Sequence, residues 1–479
     1  MRTCLLSWCL PPLQNQLALN FAEKLKQPVS GLDLDVAKGV ATEKAAAEQG
    51  GLQVHAYTDF AKFVSSLEQP RRVVLLVPAG KPVEGAISSL LPLLDKGDVI
   101  VDMGNEWFEL TETRQARVTA AGVHYMGCGL SGGGDGARRG PCLLPGGPRD
   151  AWKLMQPLLE AIAARVTTSS GSSYPCVRYI GPGGAGHYSK MVHNGIEYGD
   201  MQLIAEAAHL CRELGGLDAP AVSALFNKLN AGPLDSFLME TTAAVFLKKD
   251  PQPSCAGKAL VDAVYDSCGS KGTGKWTIQQ AAELGVPCAT HAAALEARYL
   301  SSLKTQRTTA ASVFADAGAA TGALPNGWQR DLEDALLASK LCSYAQGMAH
   351  LRAASDTHKW NLQLHELAEI WQGGCIIRAK VLNLVQAAFQ KDPNLPNLLL
   401  DDAVAAEMRA RLPGWRRFVL LAMKHALPVP ALSASLTYFD TFRSSLLRSA
   451  QCIQAQRDCF GGHGFQRLDM PGSHTVPWR

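Results

Sequence analysis

The sequence predicts an α/β, doubly wound N-terminal domain, a large all-α domain after it, and a short C-terminal tail. Three observations carry this. In the first third, short apolar runs bounded by Gly or Pro alternate with helical stretches, the pattern of a parallel sheet covered on both faces. From Gly186 strand-like runs nearly vanish and long amphipathic stretches take over, which is helical periodicity. After about residue 450 the chain turns glycine-rich, as in FGGHGF and MPGSHTVPW, and cannot pack a core of its own; such segments often fold onto a neighbour. These changes divide the chain into residues 1–183, 184–450 and 451–479.

Element by element, TCLLSWCLPPLQNQLALN (3–20) reads as a short apolar run, two prolines and the start of a helix. A nucleotide-binding domain usually carries glycines here, where this chain has Cys9, Pro11 and Gln14. RRVVLLV (71–77), GDVIVDMG (97–104) and GVHYMGCGLSGG (122–133) are buried-strand segments. Between them LEQP and ISSLLPLLDK read as helix or loop. The alternation makes this domain Rossmann-like. The linker GPGGAGH (181–187) hands over to a long helix, and patterns at 187–214, 281–304, 329–354 and 363–389 predict long amphipathic helices.

Composition narrows the function classes. The 479 residues are 47% hydrophobic and 19% charged, as in a folded, core-rich protein of two or three domains. Net charge is +3 with no block of five like charges, so a nucleic-acid or anionic-membrane partner has no electrostatic support. Thirteen cysteines occur without a CxxC pair, which argues against zinc and redox motifs and for reduced thiols. No stretch reaches the ~18–20 apolar residues of a membrane span. The run Cys4–Leu13 is cut by Pro11-Pro12 with no small-residue cleavage site after it, so it is not read as a secretory signal. A cytoplasmic location is expected, with a plastid or other organelle left open.

The densest polar cluster is HYSKMVHNGIEYGD (187–200). Lys190, His193, Asn194 and Glu197 follow an i, i+3, i+4, i+7 pattern and share one helical face. Lys190 and Glu197 then lie ~10 Å apart along the axis at 1.5 Å per residue, room for a short carbon chain between a base and an acid. A solvated face is the commoner origin of such a stripe, but Gly195 in mid-helix costs about 1 kcal/mol against Ala and argues for function. SGGGDGAR (131–138) is a glycine loop after a strand; it reads either as an ordinary turn or as an anion-binding nest of backbone N–H groups, with Arg138 and Arg139 beside it. DSCGSKGTGKWT (266–277) lacks a preceding strand and fails the triphosphate-loop spacing, since Trp276 follows Gly274-Lys275. Lys271 still offers a point charge for a phosphate or carboxylate.

Six motifs, in order, carry a resemblance: SGGxDGARxGP (131–141), KMVHNGIEYGDMQL (190–203), KGTGKWT (271–277), GGCIIR (373–378), NLLLDD (397–402) and QAQRDxFGxHxF (454–465). From about residue 71 to 470 the chain resembles the decarboxylating 6-phosphogluconate dehydrogenases. That family oxidises C3 of 6-phosphogluconate with NADP, loses CO2 without a metal, and reprotonates the enediol to ribulose 5-phosphate. The resemblance implies Lys190 as general base and Glu197 as the acid that protonates C1. For Lys190 to be neutral near pH 7 its pKa must fall by about three units, or ~4 kcal/mol, through burial and neighbouring positive charge. Substrate contacts are implied for Asn105, Ser131, Gly132, Gly133, His193, Asn194, Tyr198, Lys271, Arg298, Arg457 and His463. Arg457 and His463 would reach the partner's site from the tail, so a homodimer with tail exchange is expected. Asp33, Val77 and Asn105 are the implied cofactor contacts.

Departures from the family concentrate in the cofactor half. The glycine fingerprint is replaced at Cys9, Pro11 and Gln14. The family's Asn-Arg-Thr, whose Arg clamps the 2′-phosphate of NADP, corresponds here to GLDLD (31–35), with Asp33 and Leu34 and no Arg. Pro78 stands for a lysine, VDMGNE (101–106) for VDGGNS, and Gly134 for an acidic residue. Loss of that Arg predicts weak NADP binding, whereas Asp33 suits an unphosphorylated ribose and admits NAD. A pseudoenzyme that keeps the sugar-phosphate pocket and the dimer is the competing reading. A related hydroxyacid dehydrogenase is disfavoured by the phosphate and long-chain contacts.

Overall fold

The structure is a computed structural model describing residues 3–7, 11–168, 171–315 and 324–479, with side chains from Asn15 onward. Cys9 therefore lies outside the described residues, as do the side chains of Pro11 and Gln14. In the first domain β1 (Thr3–Ser7), α1 (Pro11–Leu25), β2 (Val29–Leu32), α2 (Val36–Glu48), β3 (Val54–Tyr57) and α3 (Phe60–Ser65) form the first half. The second half is β4 (Arg72–Leu76), α4 (Lys81–Leu90), β5 (Val99–Asp102), α5 (Phe108–Ala120), β6 (His124–Ser131), α6 (Gly133–Arg139), β7 (Cys142–Gly146) and α7 (Arg149–Ile162). Strand order is β3-β2-β1-β4-β5-β6-β7. The three strands expected from apolar runs are present as β4, β5 and β6, and Val73–Leu75 and Val99–Val101 are fully buried, as central parallel strands require.

The sheet departs from the all-parallel expectation at its edge. β7 runs antiparallel to β6, pairing Gly127 with Gly146 and Ser131 with Cys142. The seven-residue helix α6 reverses the chain between them, too short a connection for a parallel crossover. The order reverses between β1 and β4, so the crevice beyond the carboxyl ends of these strands is the topological switch point at which such sheets bind ligands. Asp33, Val77, Asn105 and Ser131 each lie at or just past the carboxyl end of a strand.

A small hairpin, β8 (Arg165–Thr167) and β9 (Ser173–Pro175), precedes the helical domain. That domain holds α8 (Ala185–Glu213), α9 (Ala219–Asn230), α10 (Phe237–Leu247), α11 (Thr273–Glu283), α12 (Ala289–Ser302), α13 (Lys304–Val313) and α14 (Trp328–His358). It continues with α15 (Leu364–Ile370), α16 (Val381–Lys391), α17 (Asp402–Lys424) and α18 (Pro430–Phe442). Two of the expected long helices are each divided. The 281–304 pattern falls into α11 and α12 because Gly285 takes φ +64° and Pro287 cannot continue a helix. The 363–389 pattern is broken by the loop 371–380, where Gly374 takes φ +64°. In the tail region α19 (Arg448–Gly461) leads into β10 (Phe465–Gln466) and β11 (Ser473–His474).

The two domains join where α8 crosses β6 and β7, and glycine makes the crossing close. A Cβ on Gly186 would sit 2.3 Å from the Leu144 carbonyl oxygen and 2.5 Å from that of Gly127. A Cβ on Gly129 would sit 2.3 Å from the Lys190 Cβ. Gly186→Ala gains helix propensity of about 1 kcal/mol but meets rigid backbone on both sides, so a net loss of roughly 1–3 kcal/mol is expected from overpacking. Thermal melting reads this directly, and an unchanged or raised melting temperature would show that the junction yields.

Candidate active site

The crossing delivers Lys190 to the end of β6. Its ammonium nitrogen lies 3.3 Å from His193 Nδ1, and the side chain is 5% exposed. Burial pushes the Lys190 pKa down, opposed by the nearby Glu197 carboxylate. His193 is pushed well below the usual histidine range, first by burial and then by Lys190. A neutral His193 fits its surroundings: Nδ1–H donates to Asn194 Oδ1 at 3.0 Å, and Nε2 accepts from the Ser131 hydroxyl at 3.0 Å. Ser131 Oγ in turn accepts from the Ile376 N–H at 3.4 Å, and the Trp371 ring meets the imidazole edge-on. The imidazole is thus fixed on three sides.

Glu197, one turn on, has a carboxylate oxygen 4.0 Å from His193 Nδ1. Burial raises its pKa, while Lys190, Arg298 and Lys271 act to lower it and Asp200 adds to the rise. The site therefore pairs an amine biased toward the free base with a carboxyl biased toward the acid, a separation that suits general acid–base work. Tyr198 follows: its hydroxyl lies 3.2 Å from Ser270 Oγ, and the Arg298 guanidinium carbon lies 3.6 Å over its ring centre. Gly274 admits that ring, since a Cβ there would stand 2.4 Å from Tyr198 Cε2. Lys271 is exposed on the loop leading to α11.

From the sheet side, Asn105 accepts from Asn194 Nδ2 at 3.5 Å, bridging the two domains. Gly132 takes φ +117° and Gly133 φ +62°. A Cβ on Gly132 would clash at 2.5 Å with the Gly374 carbonyl, whereas nothing stands within 4 Å of one on Gly133. So GGCIIR closes over the glycine turn and leaves its tip open. The arginines beside that turn do not serve it: Arg138 pairs with Glu23 and bonds Gln49, and Arg139 pairs with Asp135. Arg457 and His463 also stand apart from Lys190 and Glu197 in the single chain. Arg457 bonds Gln454 within α19, and His463 packs against Phe460.

At the strand ends, Asp33 is 7% exposed and accepts the Asp35 N–H at 2.9 Å. It borders a small cavity with Asn15, Lys38, Gly39 and Thr42. An acceptor carboxylate beside a lysine, at the end of the second strand in the switch-point crevice, fits the ribose end of a nicotinamide dinucleotide. Val77 is buried at the end of β4, and its carbonyl would lie 3.0 Å from a Cβ on Gly104.

Glu106, a departure from the family motif in the cofactor half, has a structural task. Glu106 accepts from the N–H groups of Gly80 and Trp107, both at 2.8 Å, and from Arg114 at 2.5 Å. Arg114 also bonds Glu84 and the Gly80 carbonyl. This buried network ties the loop after β4 to the loop that carries Asn105. Met103, another departure, is core, at 2% exposure. The Asp200–Lys340 ion pair beneath Glu197 and the Trp107–Trp276 contact across the domains, 5.9 Å between ring centres, were also missed. Lys340 and Asp200 lie 140 residues apart, and no local pattern pairs them.

Residues 15–181 match the NAD binding domain of 6-phosphogluconate dehydrogenase, and residues 186–478 match its C-terminal domain. The chain is 49% identical over 475 residues to the chloroplastic 6-phosphogluconate dehydrogenase, decarboxylating 2, of Oryza sativa subsp. japonica, covering 98% of this chain and 92% of that protein. It is 47% identical over 434 residues to the Synechococcus elongatus 6-phosphogluconate dehydrogenase, decarboxylating, covering 90% of each. Among solved structures, Plasmodium falciparum 6-phosphogluconate dehydrogenase, studied apo, with its cofactor NADP+ and with its substrate 6-phosphogluconate, superposes at a TM-score of 0.92 with 39% identity and full coverage of both chains.

Proposed function

The chain belongs to the 6-phosphogluconate dehydrogenase family, and we propose that it oxidatively decarboxylates 6-phosphogluconate to ribulose 5-phosphate and CO2. The observation that carries this reading is the buried amine of Lys190, 3.3 Å from a His193 that burial keeps neutral, with a raised-pKa Glu197 one turn beyond. Lys190 takes the proton from the C3 hydroxyl as the C3 hydrogen leaves with its electron pair. The bound nicotinamide ring supplies the acceptor for that hydride. The C1–C2 bond then breaks, CO2 departs, and its electron pair moves toward the C3 carbonyl oxygen, to which Lys190 returns its proton. Glu197 finally gives a proton to the carbon that has lost CO2, while Lys190 withdraws the hydroxyl proton of the enediol. The C3 carbonyl is the electron sink, so the step requires no metal.

In this reading Ser131, Gly132, Gly133, His193, Asn194 and Asn105 hold the carboxylate and hydroxyl end, and Tyr198, Lys271 and Arg298 face the phosphate end. Arg457 and His463 complete that end from the partner's tail. Support for tail exchange comes from α19, which exposes Ile453 and Phe460 at 57% and 75% in the single chain. Homodimerisation follows, and no helix among the described residues is long and apolar enough to cross a membrane. A cytoplasmic or plastid site of action suits the relatives, which include chloroplastic forms.

The cofactor is a nicotinamide dinucleotide held at the ends of β2, β4 and β5, with Asp33 accepting from the adenosine ribose. With Leu34 in place of the phosphate-clamping arginine and Lys38 turned 3.9 Å from Asp35, discrimination for NADP over NAD is expected to fall within about tenfold. Leu34 is 42% exposed, so Leu34→Arg is accommodated. A charged hydrogen bond adds about 1.5–3 kcal/mol, so the KM for NADP is expected to fall at least tenfold and that for NAD to stay. Paired titration of the two cofactors at saturating 6-phosphogluconate measures both. No reduced cofactor from either would remove the enzymatic reading and leave the pseudoenzyme.

A further inference from the structure

The tail folds around one carboxylate. Asp458, the buried residue of α19, is 3% exposed and lies directly beside Arg457. Its Oδ1 accepts from the Gly464 N–H at 2.9 Å and the Thr475 hydroxyl at 2.7 Å. Its Oδ2 accepts from the Trp478 indole at 2.7 Å and the Val476 N–H at 3.3 Å. Burial acts to raise the carboxyl pKa, but these four donors outweigh it and hold it at about 2. The donors come from both sides of the β10–β11 hairpin, which is only two residue pairs long: Phe465 with His474 and Gln466 with Ser473. A two-stranded ribbon of that length is not stable by itself in water, so Asp458 is the principal polar tie between helix and hairpin.

The two residues read as substrate contacts straddle this tie. Arg457 precedes Asp458, and its guanidinium bonds Gln454, whose amide reaches the Gly464 carbonyl at 2.5 Å. His463 sits in the turn between the end of α19 and Gly464, the first backbone donor to Asp458. Gly462 takes φ +59° and Gly464 φ +72°, so the turn depends on its glycines and on the bond that closes it. We propose that Asp458 is a positioning residue that, by gathering Gly464, Thr475, Val476 and Trp478, fixes the mutual placement of Arg457 and His463 and so sets affinity for the phosphate end of the substrate. The proposal rests on the tail-exchange reading above, in which those two side chains serve the partner's site.

The test uses the full-length protein and steady-state kinetics. Asp458→Ala is expected to raise the KM for 6-phosphogluconate at least tenfold, with kcat changed less than threefold and the dinucleotide KM unchanged. Trp478→Phe, which removes a single donor, is expected to raise the same KM about two- to threefold. It carries the test if Asp458→Ala does not yield a dimer by sedimentation. Because Asp458 acts through its neighbours, adding Asp458→Ala to Arg457→Ala/His463→Ala is expected to cost less than a further twofold. A full additional tenfold loss in the triple variant would overturn the proposal, as would an unchanged KM in both Asp458→Ala and Trp478→Phe. If Arg457→Ala and His463→Ala themselves leave the KM unchanged, the tail-exchange reading fails instead, and the proposal with it.

Discussion

Lys190→Met is expected to lower kcat by about 10²–10⁴-fold, the contribution of a well-placed general base, while the KM for 6-phosphogluconate moves less than a few-fold. Methionine matches the length and buried volume of the lysine stem, so a site 5% exposed to solvent keeps its packing on Gly129. What disappears is the one amine within 3.3 Å of His193. The pH profile provides an independent check. Burial lowers the Lys190 pKa and raises that of Glu197. The base must be unprotonated, so kcat/KM falls as pH drops through the Lys190 pKa. The acid must be protonated, so the rate falls again as pH rises through the Glu197 pKa. The depressed lysine pKa moves the acidic limb below that of an ordinary lysine. In Lys190→Met that limb is expected to vanish from the residual rate; a retained limb would assign the base elsewhere.

Glu197→Gln separates the second half of the reaction from the first. The amide retains the shape and hydrogen-bonding of the carboxyl but has no acidic proton for carbon. Oxidation and loss of CO2 are expected to proceed within about tenfold of the parent, whereas on-enzyme ketonisation of the enediol slows by about 10²-fold or more. Single-turnover experiments that follow reduced cofactor and ribulose 5-phosphate separately read the two steps. Equal slowing of both would return Glu197 to a role in substrate orientation. Burial raises the Glu197 pKa, and Asp200, three residues on and paired with Lys340, adds to that rise against the opposing Lys190, Arg298 and Lys271.

Much of this was legible in local sequence. The helical phase of Lys190, His193, Asn194 and Glu197 is a short-range property of 3.6-residue periodicity, and the structure keeps all four on one face. The strands β4, β5 and β6 were readable because fully buried parallel strands are continuous apolar runs. The antiparallel direction of β7 was not readable, since it depends on α6 being too short for a crossover. The same limit applies to Glu106: as a replacement in a motif it looked like decay, and only its three donors, one from the loop after β4, one from its own loop and one from α5, reveal a clamp. Arg138 and Arg139 misled for the opposite reason, their closeness in sequence to the glycine turn being cancelled by partners on α1, just past the end of α2, and on α6.

The most direct measurement is the reaction of purified protein with 6-phosphogluconate and NADP or NAD in D2O, with the product followed by NMR. A lysine base and a carboxylic acid on one helix face predict one CO2 per reduced cofactor and a single, stereospecific deuteron at C1 of ribulose 5-phosphate, with that stereospecificity lost in Glu197→Gln. Reduced cofactor without CO2, or a deuteron placed with equal stereospecificity after Glu197→Gln, would contradict it.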